Sequence, residues 1–100
     1  MSNNSYFVYI LYSKKFNKFY IGQTANVERR ILQHNVSEEN TFTSKYRPWI
    51  LKLALKVSDR STAMKIEKYI KGRKSKIYIN KLIAEEKLQN KLIIKFSSAG

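Results

Sequence analysis

The chain has 100 residues, enough for one domain and too few for two independent cores. It has no cysteine and one histidine, which excludes disulfides, thiol nucleophiles, zinc–thiolate sites and multi-histidine metal clusters. Twenty Lys and Arg against seven Asp and Glu leave a net charge of +13, a self-repelling balance whose natural partner is a polyanion, nucleic acid ahead of an anionic membrane surface.

Hydrophobic residues make up 43%, so a core can form and disorder is not expected. No apolar run is long enough to span a bilayer and no signal peptide opens the chain, so the expected location is cytoplasmic, without membrane contact.

Tyr6 to Tyr12 is rich in β-branched and aromatic residues and predicts a strand. Ser13 to Asn17 predicts a turn, and Lys18 to Gly22 a returning strand. Both faces of this hairpin are largely apolar, so cover is expected on both. A four-residue loop, Lys14 to Asn17, would pair Ser13 with Lys18, Leu11 with Tyr20 and Tyr9 with Gly22. Tyr9 and Tyr20 then share one sheet face, whereas a five-residue loop would separate them.

Asn26 to Asn35 predicts a helix, with Asn26 as its cap and Glu28 in its first turn. Val27 and Ile31 mark its buried side, and Arg30 and His34, four apart, share a neighbouring face. Val36 to Arg47 is a polar connection long enough to be a functional loop. Pro48 to Val57 alternates as a strand, with Trp49, Leu51, Leu53, Leu55 and Val57 on one face and Lys52 and Lys56 on the other.

Asp59 caps a helix expected over residues 60–71, with Ala63, Ile66 and Ile70 inward and Gly72 just past its end. A third helix begins near Ser75 and turns Ile79, Leu82 and Ile83 inward. Residues 86–100 fit a strand or a helix, and the last four look disordered. The expected fold class is α+β, a small three-stranded antiparallel sheet flanked by about three helices. The expected division is a domain over residues 1–85 and a partly disordered extension over 86–100.

Glu67 is the most informative single residue. Positions 63, 66, 67 and 70 follow the spacing of a buried helical stripe, and three of the four are apolar. A carboxylate there must be paired or bind a cation. A helix ion pair with Lys71, four residues on, accounts for it somewhat better than a metal site when the residues are read alone. The seven tyrosines are mostly core and sheet packing, although two on one face beside a basic helix would suit a phosphate. Gly is too sparse for a phosphate-cradling loop, and no serine triad is supportable.

Several short segments together resemble the GIY-YIG nuclease superfamily, in its small single-domain members. They are Val8-Tyr9-Ile10 within VYIL, Tyr20-Ile21-Gly22 within YIGQT, ERR…QHN with Arg30 and His34, YRPW, and AMKIEKYIK with Glu67. The resemblance runs from Tyr6 to about Leu82. Val8 stands where the first motif is named for Gly, Asn26 where Asp is frequent, and the 36–47 loop lacks a usual Gly.

The resemblance implies hydrolysis of DNA phosphodiester bonds with one divalent metal, Mg²⁺ or Mn²⁺, and no organic cofactor. DNA repair or recombination is the setting it suggests. Glu67 would hold the metal, since Mg²⁺ needs only one or two carboxylates. Tyr9 would activate the attacking water, with its cationic surroundings and the metal lowering a phenol pKa of about 10. Tyr20 would support water or phosphate position, Arg30 the transition-state charge, and His34 the phosphate or leaving group. Gly22, Lys45, Arg47 and Asn80 would line or steer substrate. The rival reading is a non-catalytic nucleic-acid-binding module that keeps the nuclease fold. A ribosome-associated RNA-binding protein fits the charge but leaves the spaced Tyr, Arg, His and Glu unexplained.

Overall fold

The computed structural model describes residues 5–36 and 42–97. Strand β1 (Tyr6–Ser13) turns into β2 (Lys18–Thr24), followed by α1 (Val27–Val36) and a short 3₁₀ helix (Thr43–Tyr46). Strand β3 (Ile50–Val57) leads to three helices, α2 (Arg60–Arg73), α3 (Lys76–Ala84) and α4 (Glu86–Ser97). The sheet is antiparallel, in the order β2-β1-β3, so the fold is α+β with four helices rather than about three. Among the described residues, no helix is long and apolar enough to cross a membrane.

The hairpin register is the one the four-residue loop requires, with Ser13 opposite Lys18, Leu11 opposite Tyr20 and Tyr9 opposite Gly22. Asn17 closes the turn at φ 52°, a left-handed conformation that Asn tolerates, and its side chain accepts a 2.9 Å hydrogen bond from the Tyr12 hydroxyl.

Alternation along β1 divides the interior. Val8 and Ile10 face one side, where Ile21, Leu55 and Val57 meet Ala63, Ile66 and Ile70 of α2, Ile79 and Leu82 of α3, and Leu92 of α4. Tyr9 and Leu11 face the other, against Trp49, with Tyr20, Ile31 and Tyr46 around them. Both faces are covered, as two apolar faces demand.

Strand β3 departs from its simple alternation. A bulge falls between the Ile10–Leu53 and Leu11–Leu51 pairs, so Lys52 is the extra residue. One extra residue shifts the phase of the alternation. Leu53, Leu55 and Val57 therefore serve the main core, while Trp49 joins the Tyr9 side; the five do not share one face.

The helix caps follow the sequence signals. The Thr62 amide donates to Asp59 Oδ1 at 2.8 Å, and the Tyr78 amide to Ser75 Oγ at 3.0 Å. Gly72, expected past the end of α2, lies inside it, and Lys74 takes the left-handed cap at φ 47°. The ambiguous 86–97 stretch is helical because Leu92 reaches the core while Leu88, Ile93 and Phe96 pack on its edge, a helical stripe. Residues 98–100 lie outside the described residues, as does the middle of the 36–47 connection.

Candidate active site

The site is assembled around Tyr9 at the centre of the sheet, where its ring is only 1% exposed. That ring lies flat across β2 because the residue opposite is Gly22. A Cβ on Gly22 would sit 2.5 Å from the Tyr9 hydroxyl oxygen and 2.6 Å from Cζ, well inside contact distance. Gly22 is thus required for close approach rather than for a turn, and its φ is not positive.

Helix α1 brings the polar partners. Its first turn is capped by Asn26, whose Oδ1 accepts from the Arg29 amide at 3.1 Å. Arg30 and His34, one turn apart, then point to the same place. His34 Nε2 is 2.9 Å from the Tyr9 hydroxyl, and Arg30 lies close enough for its charge to act on the phenol. The buried residue of α1 is His34; Val27 and Ile31, expected to mark its inner side, are only half-buried. The helix presents its imidazole together with Ile31 to the aromatic cluster.

The electrostatics run against a ready-made phenolate. Burial pushes the Tyr9 phenol above its ordinary value, and neighbouring Tyr20 adds to this; the Arg30 charge and hydrogen bond pull the other way without prevailing. In the protein alone, desolvation outweighs the lowering effect of the one guanidinium beside Tyr9. Burial also lowers the His34 pKa, helped by the charges of Arg30 and Arg47. Tyr9 and His34 therefore share one hydrogen bond between neutral partners, with the Arg30 charge beside it.

Tyr20 stands beside this pair, 6.3 Å from Tyr9 by ring centroids and edge-on to His34 at 4.8 Å. Trp49 completes the aromatic wall, 6.2 Å from Tyr20. Two supporting residues carry the geometry that sequence reasoning did not find. Asn35 clasps the Trp49 backbone, its Oδ1 accepting from the Trp49 amide at 2.7 Å and its Nδ2 donating to the Trp49 carbonyl at 3.1 Å. The Trp49 indole N–H donates to the Thr43 carbonyl at 2.7 Å. The one available signal was a polar Asn directly after His34 on a helix that must dock.

Of the other predicted site residues, Arg47 lies against α1, its Nε donating to the His34 carbonyl at 2.6 Å. Lys45 is exposed on the 3₁₀ helix. Asn80 is exposed on α3, with no hydrogen bond to Tyr9, Tyr20, Arg30 or His34. Glu67 sits on α2 beside the buried Ile66, its side chain 20% exposed and paired with Lys71. Its charge nevertheless reaches Tyr9, where it opposes ionisation. Among the described residues there is no group of three or more His, Cys, Asp or Glu. One carboxylate suits a hard ion that keeps its waters and takes phosphate oxygens. The competing Lys71 is a half-exposed helix partner, held by only about 0–1 kcal/mol.

A two-tyrosine sheet face, an arginine–histidine helix and a glutamate on the next helix define a GIY-YIG nuclease domain. The model of the GIY-YIG catalytic domain matches residues 5–82, and the chain belongs to that family. Among its relatives, UPF0213 protein SH2523 of Staphylococcus haemolyticus is 39% identical over 66 residues, covering 66% of this chain and 79% of that protein. UPF0213 protein YazA of Bacillus subtilis is 32% identical over 94 residues, covering 91% of this chain and 89% of its own. No solved structure matches the chain.

Proposed function

We propose that the protein is a divalent-metal-dependent endonuclease that hydrolyses DNA phosphodiester bonds, acting in DNA repair or recombination. The observation that carries this reading is the buried Tyr9 hydroxyl hydrogen-bonded to His34 Nε2, with the Arg30 charge beside it. A neutral phenol hydrogen-bonded to a neutral imidazole is a proton relay. Tyr9 takes a proton from the attacking water as it passes its own to His34. The raised phenol pKa is then no obstacle, because a free phenolate never has to form.

Arg30, beside the phenol, would take the negative charge that gathers on the phosphate. Tyr20 packs edge-on against the imidazole, and Trp49 backs Tyr20. Glu67 would hold Mg²⁺ or Mn²⁺ once Lys71 swings away. When bound, the ion supplies positive charge to the phosphate and the departing oxygen.

The test is cleavage of supercoiled, linear and branched DNA with Mg²⁺ and with EDTA. Cleavage is expected only with the metal. Arg30→Ala should lose about 10²–10³ in rate, and Glu67→Ala should lose cleavage while still binding DNA. Equal cleavage by Glu67→Ala, or none of any substrate by the unaltered chain, would sink this reading in favour of a nucleic-acid-binding module.

A further inference from the structure

Arg29 and Arg30 are consecutive, so their side chains leave α1 about 100° apart. The Arg30 charge acts on Tyr9. Both also line a cavity of about 430 Å³ at the end of the sheet where α1 and α2 begin, together with Tyr6, Gln23, Gln33 and Arg60. Three guanidiniums from two helices thus converge on one opening, and none of its lining residues is acidic. Two acids adjoin these arginines in sequence, Glu28 and Asp59; neither lines the cavity, and Asp59 is engaged in capping α2. Arg29 and Arg60 are exposed and have no carboxylate partner among the described residues.

Like charges gathered without a counter-ion are costly and are relieved by an anion. Planar, forked donors fit phosphate oxygens better than lysine does. Because Arg30 belongs to both the cavity and the tyrosine cluster, whatever occupies the cavity is adjacent to the reacting group.

We propose that this cavity is a second phosphate subsite, in which Arg29 and Arg60 clamp the backbone phosphate of the DNA nucleotide next to the one cleaved, with Gln33 on its sugar. Its place beside the reacting bond rests on the nuclease reading; its binding of DNA does not. The subsite makes binding depend on a continuous strand rather than on a single phosphate.

The experiment measures binding of a short labelled duplex in EDTA, by fluorescence anisotropy over a series of salt concentrations. The chain is compared with the double variant Arg29→Ala/Arg60→Ala and a control, Lys81→Ala/Lys87→Ala, that removes two exposed charges from α3 and α4. Loss of one phosphate contact should weaken binding about tenfold in the arginine variant and lower the log–log salt slope by about 0.9. The control should keep its slope. An unchanged slope in the arginine variant, or an equal fall in the control, overturns the subsite. Since nothing is cleaved in EDTA, either result leaves the nuclease reading to its own test.

Discussion

At Gly22 the absence of one carbon decides where a buried phenol lies. The Tyr9 ring occupies the volume a Cβ would fill, so Gly22→Ala must displace either the ring or the strand. Such overpacking typically costs about 1–3 kcal/mol. The expected result is a lower melting temperature and a loss of cleavage larger than the loss of stability explains, because Tyr9 no longer meets His34. Equal cleavage by Gly22→Ala and the unaltered chain would refute the placement.

His34 gives a pH test at the same scale. Its folded pKa lies below its ordinary value of about 6.5, so the neutral form is favoured by folding. The stability tied to this is fully present above the ordinary value. It is lost as pH falls, because the unfolded chain protonates first. The melting temperature should therefore drop from about pH 7 to about pH 5, and less so in His34→Gln. This is the chain's sole histidine, so its imidazole can be followed unambiguously by NMR. A midpoint above the ordinary value would contradict the buried, neutral role.

Between elements, two devices do the positioning. The bulge at Lys52 turns Trp49 to the Tyr9 side and leaves Leu53, Leu55 and Val57 on the main core. Asn35 then ties the end of α1 to the start of β3 by two hydrogen bonds to Trp49, which holds His34 against the sheet. On the opposite face α4 closes the main core through Leu92, which is 4% exposed. Leu92→Ala should cost about 2–5 kcal/mol, read by denaturant unfolding. A change well under 1 kcal/mol would show that α4 is an ornament rather than part of the core.

Over the whole molecule, the charge of +13 is carried by lysines and arginines on almost every element, and only one carboxylate–lysine bridge is formed among the described residues. That surplus, its sign and its polyanionic partner are properties of composition. The hairpin register was equally legible, because a loop of fixed length and a period of two leave one pairing that puts Tyr9 and Tyr20 on the same face. So were the caps Asn26 and Asp59, since capping is a local hydrogen bond. The bulge, the burial of His34 and the Asn35 clasp were not, because each depends on partners far along the chain. Sequence by itself determined the strands, the first three helices and the shared sheet face of Tyr9 and Tyr20. Only the tertiary structure decided that burial holds the Tyr9 phenol above its ordinary pKa, hydrogen-bonded to His34. Desolvation acts through the packed interior, and no count of nearby charges in the sequence can supply it.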